Sequence, residues 1–167
     1  MSGPTHQTKA ESTGGDLVVG WREWVRLTRH GVPWMKAKVD TGARTSSLHA
    51  FDLEELTVDG ADSVRFSVHP LQASDEDAVS VILPVHDRRQ VRSSSGHVEE
   101  RPVVLMRMTL ARRRITAEVT LTDRDEMGFR MLVGRQALEQ GYLVDSRLSY
   151  AGGRPRRETR RRNWGKA

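Results

Sequence analysis

The sequence of 167 residues contains no cysteine, which excludes disulfide bonds, a cysteine-based zinc site and a thiol nucleophile. It also contains no unbroken apolar segment long enough to span a bilayer. Residues 1–15 are polar and glycine-rich and lack the apolar region of a signal peptide. We therefore expect a cytoplasmic protein without membrane contact, in which residues 1–15 form a disordered N-terminal tail.

Sequence motifs for two kinds of cofactor are missing as well. No G-x-x-x-x-G-K-[ST] loop for the phosphates of ATP occurs. No H-E-x-x-H motif or other compact pair of metal ligands occurs either, and a lone histidine is more often part of hydrogen-bonded structure. We therefore expect no cofactor and no metal site. The histidines are His6, His30, His49, His69, His86 and His97.

The composition indicates one globular domain with a core, because 37% of the residues are hydrophobic and 29% are charged. Several short segments alternate apolar and polar residues and are separated by turn signals. These segments include residues 21–27, 63–68, 103–110 and 115–121. Pro84 ends a further apolar segment and indicates an edge strand. Together these features predict an all-β barrel or sandwich over residues 16–150.

Residues 151–167 differ from the rest of the chain in charge. They contain six arginines and one lysine against a single glutamate. We expect this segment to be a disordered basic tail. Two interpretations of it remain open: contact with a polyanion such as nucleic acid, a ribosome or an acidic protein, and a solvated extension without a partner.

Residues 36–50, with the sequence KAKVDTGARTSSLHA, predict a strand, a tight loop and a second strand. Asp40 ends the first strand and is followed by Thr41 and Gly42. Such an arrangement holds a carboxylate on a rigid element and leaves room for backbone N–H groups and a substrate. Asp40 is therefore a candidate catalytic acid. The alternative is a simple chain reversal, because Asp, Thr and Gly are common turn residues.

A second segment favours the catalytic interpretation. Residues 129–138, FRMLVGRQAL, combine an apolar strand, a Gly-Arg pair and a short helical turn. This segment and Asp-Thr-Gly-Ala at 40–43 together resemble the retropepsin fold of retroviral-type aspartic proteases. The wider sequence, including GWREWV at 20–25 and SSSGHVEERPVV at 93–104, resembles a bacterial retropepsin-like family often named "ATP-dependent zinc protease". Members of that family are associated with ATP-grasp amino-acid ligases.

The resemblance covers residues 17–150 and implies a retropepsin-like closed barrel with one short helix near the C-terminus. It also implies a role for each matching residue. Asp40, Thr41 and Gly42 would be catalytic. Thr41 would form a hydrogen bond across a dimer, and Gly42 would let the substrate backbone approach. Gly134 and Arg135 would support the catalytic loop from behind.

A single Asp-Thr-Gly is half of what aspartic proteolysis needs. The reaction requires two carboxylates that share one proton around a water molecule, and no other Asp or Glu has a comparable setting. A working site would therefore need Asp40 from two copies of the chain, related by a twofold axis. Repulsion between the two like charges favours the singly protonated pair, so activity should favour acidic to near-neutral pH.

Residues 88–102 form a polar stretch in which extended segments flank Ser95, Gly96 and His97. In a retropepsin-like chain the flap, a hairpin that covers the active site, would fall here. Those three residues are then predicted to contact the substrate, and the charged, serine-rich tip favours a polar one. An ordinary surface hairpin is an alternative of equal weight.

Arg44 departs from the viral pattern, in which an acid at this position pairs with the arginine of Gly-Arg. Arg135 therefore needs another partner. The candidates are Asp52, Asp123 and Asp125. Ala43 and Arg44 are predicted to bind substrate, and Arg44 is expected to reach toward an acidic one.

These observations predict a homodimeric aspartic endopeptidase. By the ligase association, its substrate would be a protein or peptide with an acidic tail, and an ATP-grasp ligase would be a partner. The alternative is a non-catalytic module of the same fold that binds a peptide or the ligase, with the basic tail docked to a polyanion. A dimer that brings two Asp40 carboxylates within hydrogen-bonding reach would favour the enzyme.

Overall fold

The computed structural model describes residues 15–71, 75–92, 95–123 and 128–163. Within them the chain forms eleven strands, two short helices and a 3-10 turn at Thr28–His30. The strands are β1 (Leu17–Val19), β2 (Arg22–Leu27), β3 (Val32–Val39), β4 (Ser46–Val58), β5 (Ala61–Val68), β6 (Val79–Pro84), β7 (Asp87–Arg92), β8 (Val98–Leu110), β9 (Arg113–Thr122), β10 (Met131–Val133) and β11 (Tyr142–Val144). The helices are α1 (Arg135–Leu138) and α2 (Arg157–Asn163). The prediction of an all-β fold is confirmed.

Six strands close into a ring in the order β10, β3, β2, β8, β9 and β4, because β4 also pairs with β10. The short strand β10 makes the closure. It runs parallel to β3, with Val133 opposite Val39, and antiparallel to β4, with Met131 opposite Leu48. These four side chains are buried and belong to the aliphatic core of the ring. The predicted closed architecture takes the form of this ring.

Two antiparallel extensions leave the ring. β4 continues into β5 and β6, and β6 is the last strand of that sheet. The edge position predicted for Pro84 is thereby confirmed, since proline cannot donate to a further strand. β7 and β8 form the second extension, a hairpin paired from Asp87 opposite Val103 to Arg92 opposite Val98. This hairpin lies where the sequence predicts one.

A buried carboxylate joins distant parts of the chain. Glu23 of β2 has no exposed surface. Its oxygens accept hydrogen bonds from the backbone N–H groups of Gly20 at 2.9 Å, Ala151 at 2.7 Å and Gly152 at 3.1 and 3.2 Å. Bonds of this kind compensate a charged group for its loss of water. The segment that follows β11 is therefore held against β2.

The structure differs from the expected disorder over residues 151–163, because this segment contains α2. Asn163 is buried and donates from its side-chain amide to the Pro70 carbonyl at 3.3 Å, and Arg162 forms an ion pair with Asp77. Charge composition alone gives no sign of such long-range partners. Residues 1–14 and 164–167 lie outside the described residues. In the described part of the chain, neither helix has the length and apolar character needed to cross a membrane.

Gly134, directly after β10, lies against the backbone of the loop that follows Asp40. A Cβ atom at this position would lie 2.6 Å from the carbonyl carbon and oxygen of Thr45 and 2.9 Å from the nitrogen of Ser46. The Gly134 N–H donates to the Ser46 hydroxyl at 3.0 Å. Only glycine allows so close an approach. The contact therefore determines where the loop lies relative to β10.

We expect Gly134→Ala to lower the free energy of unfolding by about 2 kcal/mol or more, because the new methyl group meets backbone atoms that cannot rotate away. Urea denaturation measures the loss. Gly15→Ala is the control, since nothing lies within 4 Å of the Cβ position there, and its effect should stay below about 0.5 kcal/mol. Equal losses in the two variants would contradict the proposed contact.

Candidate active site

Asp40 directly follows β3, and both its backbone and its side chain are held in place. Its N–H donates to the Val133 carbonyl at 2.9 Å, which attaches the start of the loop to β10. Its Oδ1 accepts hydrogen bonds from the N–H groups of Gly42 at 2.9 Å and Ala43 at 3.3 Å. The strand, loop and strand predicted over residues 36–50 are confirmed as β3, residues 40–45 and β4.

The two oxygens of Asp40 have different surroundings. Oδ1 is occupied by two backbone donors, whereas Oδ2 has no hydrogen-bond partner among the described residues. Asp40 is partly exposed, and Thr41 and Gly42 beside it are exposed. A carboxylate that is held by one oxygen and open at the other can bind water or a substrate group at the surface.

The first turn of α1 holds the far side of the loop. The Arg135 N–H donates to the Ala43 carbonyl at 2.7 Å, and the Gln136 N–H donates to the Arg44 carbonyl at 3.0 Å. The Arg135 guanidinium also reaches the Thr41 carbonyl at 3.3 Å. The backbone of residues 41–44 is therefore bound at several points by the Gly-Arg segment.

Among the described residues, Arg135 forms no ion pair with Asp52 or Asp123, two of the aspartates expected from the sequence. Its guanidinium contacts the Thr41 carbonyl and lies 4.0 Å from the carboxylate of Glu139, one helical turn further on. Asp125, one of the three expected partners, lies outside the described residues. Arg44 is exposed and forms no ion pair with the part of the chain that the structure describes. Its charge is therefore available to a ligand.

The hairpin of β7 and β8 carries the residues predicted as a flap. Ser95, Gly96 and His97 are exposed at its tip, where Gly96 has a φ of +85°, a conformation that favours glycine. Residues 93 and 94, also assigned to the flap, lie outside the described residues. Arg89 of β7, at the base of this hairpin, contacts the loop of Asp40.

Arg89 connects three elements through one guanidinium. It donates to the Thr45 hydroxyl at 2.8 Å, to Glu118 of β9 at 3.0 Å and to Asp87 at 3.0 Å. Glu118 lies 3.4 Å from His86 as well. Since Thr45 closes the loop that begins at Asp40, this network fastens the base of the hairpin to the candidate site.

The same network shifts the titration of its members. The hydrogen bond from Arg89 lowers the pKa of Glu118, and that bond raises the pKa of Arg89 in turn. Sequence reasoning missed both residues. The only signal was the Arg88-Arg89 pair within a polar segment, and nothing in that pattern shows that Arg89 meets Thr45, 44 positions away.

Exposed apolar residues lie on and around β1 and β11, and one of them, Trp21, is bonded through its backbone to the end of β3. The N–H of Val39 donates to the Trp21 carbonyl at 2.8 Å, and the N–H of Trp21 donates to the Leu148 carbonyl at 3.0 Å. Trp21 and Leu148 expose more than a third of their surface, as do three residues of β1 and β11. We call this surface the apolar patch; its members are Val18, Trp21, Leu143, Val144 and Leu148.

The histidines do not provide a zinc centre in the part of the chain that the structure describes. His49 is buried, and its ring stacks 5.9 Å from that of His69. No group of three His, Asp or Glu side chains among the described residues could hold a metal ion. A structural zinc site takes four ligands and a catalytic one takes three. The described donor set therefore does not fit zinc, and no step of the chemistry is assigned to a metal.

The chain is similar to curated proteins named probable alpha-L-glutamate ligase. The protein from Desulfotalea psychrophila is 39% identical over 142 residues, and that from Shewanella halifaxensis is 40% identical over 137 residues. These matches cover 85% and 82% of this chain, but 31% and 30% of those proteins. The chain therefore spans about three tenths of the length of these relatives.

Two further comparisons concern the fold. A crystal structure of a protein of unknown function from Legionella pneumophila has a TM-score of 0.69 and 27% identity, and covers 81% of this chain and 98% of that one. Residues 18–155 match the RimB-like family, described as the retropepsin-like aspartic endopeptidase RimB. This match includes the loop of Asp40, the hairpin of β7 and β8, and the Gly-Arg segment. The resemblance noted in the sequence is confirmed, and the chain belongs to the RimB-like family of retropepsin-like aspartic endopeptidases.

Proposed function

We propose that this chain is an aspartic endopeptidase that works as a homodimer, with Asp40 of each subunit in one shared site. The observation that carries the proposal is the geometry of Asp40. Backbone N–H groups of Gly42 and Ala43 hold its Oδ1, while Oδ2 stays open at the surface. Family membership over residues 18–155 supports the same chemistry.

In the proposed dimer, the two Asp40 side chains hold one proton and one water molecule between them. The ionised carboxylate takes a proton from the water as its oxygen attacks the carbonyl carbon of the substrate. The protonated partner donates its proton to the carbonyl oxygen, which forms a tetrahedral diol. Proton transfer to the amide nitrogen then breaks the carbon–nitrogen bond and releases an acid and an amine. Thr41, next to Asp40 in each subunit, is proposed to form a hydrogen bond to the other subunit.

The apolar patch is a candidate surface for this dimer. Trp21 lies next to the last residue of β3, so the patch begins immediately beside Asp40. Exposed aliphatic groups continue it, with Leu143 56% exposed and Val18 46% exposed. A twofold contact through such a surface would bury apolar area and bring the two Asp40 loops together.

The proposed substrate is a protein or peptide with an acidic tail. The curated relatives are named as glutamate ligases, and a ligase that adds glutamates would make such tails. Arg44 follows the catalytic loop directly and carries an exposed positive charge without a carboxylate partner among the described residues. A guanidinium at that place suits a substrate carboxylate, which it can bind through two hydrogen bonds.

The length of the relatives favours a second candidate. Because the chain matches only 31% and 30% of those ligases, a segment of this fold occurs there alongside a larger remainder. The alternative function is then a non-catalytic module that binds a peptide or an ATP-grasp ligase. The two candidates differ in what Asp40 does, so they can be separated by experiment.

We expect Asp40→Asn to abolish hydrolysis of a mixed peptide library from acidic to neutral pH and to leave the dimer intact. The amide removes the shared proton but keeps the size of the side chain. Cleavage products are followed by mass spectrometry and the oligomeric state by ultracentrifugation. Asp59→Asn is the control, since Asp59 is exposed in the turn between β4 and β5. Hydrolysis that survives Asp40→Asn, or a wild type that never cleaves, would reject the peptidase.

We expect Leu143→Glu to weaken the dimer at least about tenfold and to reduce hydrolysis in parallel, because a charge in an apolar interface loses its water. Sedimentation over a range of concentrations measures the dissociation constant. Ile82→Glu is the matched control: Ile82 is 49% exposed and lies on the edge strand β6. If both variants stay dimeric, the subunits associate through another surface.

The Arg89 network predicts a pH dependence. The pKa of Glu118 is lowered in the fold. The ionised carboxylate therefore stabilises the fold fully above the ordinary glutamate pKa of about 4.3, and this stabilisation is lost as the pH falls through the lowered value. Near neutral pH, Glu118→Gln should lower the free energy of unfolding by about 1 kcal/mol, which lowers Tm by a few degrees. This difference from the wild type should vanish well below pH 4.

Thermal unfolding followed by circular dichroism over a pH series measures that difference. Glu55→Gln is the control, because Glu55 pairs with Arg88, the chain neighbour of Arg89, at an exposed position. We expect its effect to be small at every pH. A Glu118→Gln difference that grows as the pH falls would contradict the proposed role of the network.

A further inference from the structure

A basic groove lies at the opposite end of β3 from Asp40. It has a volume of about 950 Å³ and lies between the end of β2 with its 3-10 turn and the hairpin of β8 and β9. Five arginines line it, and all are exposed. They are Arg26, Arg29, Arg107, Arg112 and Arg114. We call this feature the arginine groove.

The arginines of this groove lack acidic partners. No acidic side chain lines the groove. Across the described residues, none of the five guanidinium groups forms an ion pair, although nine ion pairs of other arginines occur there. Like charges that converge without compensation repel one another and cost stability. A polyanion bound in the groove would remove that cost.

A neighbouring arginine, Arg113, does have hydrogen-bond partners, so the lack of partners is limited to the arginines that line the groove. Arg113 begins β9 between Arg112 and Arg114, but its guanidinium donates to the Gly141 carbonyl at 2.6 Å and the Gly15 carbonyl at 2.9 Å. Arg113 therefore supports the fold. The two arginines on either side of it have no such bonds within the described chain, so their guanidinium groups remain available.

The turn that presents Arg112 is held in an unusual conformation. Ala111 has a φ of +48° and Arg112 a φ of +69°, values that a two-residue hairpin turn requires and that usually select Asn or Gly. Each non-glycine residue in this region costs roughly 1 kcal/mol. The sequence places arginine there although asparagine or glycine would be less strained, which is consistent with a use for its charge.

Two contacts shape the other wall. The Arg26 guanidinium lies 5.1 Å from the ring of Trp34, which holds the side chain in place by a cation–π contact. His30 accepts a hydrogen bond from the Arg107 backbone at 3.3 Å. Burial and the nearby charge of Arg29 lower the pKa of His30, so this histidine is not a source of charge in the groove.

The remaining lining favours nucleic acid over an acidic peptide. Met108 and Ile115 are buried, so the groove offers no apolar anchor for peptide side chains. It has no aromatic lining on which bases could stack. Thr28, Thr109 and Thr116 supply hydroxyl groups that can donate and accept. Arginines and hydroxyls together suit phosphates and ribose 2′-hydroxyls, the groups that double-stranded RNA displays irrespective of sequence.

We propose that the arginine groove binds the sugar–phosphate backbone of double-stranded RNA without reading its sequence. The groove lies about 25 Å from Asp40, because the eight residues of β3 separate them. RNA bound there would leave the Asp40 end open to a protein substrate. The binding is independent of the proposed peptidase function, so Asp40→Asn should bind RNA as the wild type does.

Fluorescence anisotropy with a labelled 20-base-pair RNA duplex tests the proposal. Five phosphate contacts predict a slope of log K against log salt of about −4 to −5, hence a loss of affinity of roughly 500-fold between 50 and 200 mM salt. Arg29→Gln with Arg107→Gln should make the slope less steep by about two. Arg112→Gln with Arg114→Gln should do the same, while Arg107→Lys with Arg114→Lys should keep the slope.

Matched variants locate the contact. Arg157→Gln with Arg161→Gln removes the same charge from exposed positions on α2 and should leave the slope unchanged. Circular dichroism confirms that each variant is folded. The proposal is overturned if the α2 pair causes the same loss, if a DNA duplex of the same sequence binds equally well, or if a glutamate decapeptide binds more tightly. It is also overturned if no duplex binds at 50 mM salt.

Discussion

The insertion of β10 between β3 and β4 is the constraint on which the rest of the structure depends. This three-residue strand closes the ring, and its last carbonyl accepts the hydrogen bond from Asp40. Gly134, which follows it, fits against the backbone of Thr45 because it has no side chain. A short strand and one glycine thereby fix both ends of the loop at residues 40–45. The rigidity of the site comes from backbone geometry more than from packing.

The hairpin of β7 and β8 is tied to the site in a different way. Side chains make the link, through Arg89, Thr45 and Glu118, and all three are partly exposed to water. Charged bonds of this kind orient a segment at a modest gain in free energy. The base of the hairpin is therefore positioned, while its tip at residues 95–97 is exposed.

Local patterns predicted the all-β fold and the Asp40 loop well, and long-range side-chain contacts poorly. Asp40 and Gly42 could be recognised as part of a tight loop because neighbouring residues show its turn chemistry, whereas the position of Gly134 behind that loop was implied by the family resemblance. Arg89 could not be matched to Thr45 and Glu118, because register between distant strands has no local signal. The helix at residues 157–163 was missed for the same reason: its charge suggests disorder, and its partners lie more than eighty residues away. The arginine groove likewise unites three separate segments.

Glu23 has a consequence for the order in which the chain is made. Its carboxylate is satisfied by the N–H groups of residues 151 and 152, at least 128 positions later. At ribosomal rates those residues follow Glu23 by roughly 6 to 26 seconds. During that interval the carboxylate has only the Gly20 N–H of its three backbone donor residues, and burying it with so few partners is costly. The contact between β2 and the segment after β11 therefore forms only after translation has passed residue 152, and newly made chains have an extended period in which chaperones can bind them.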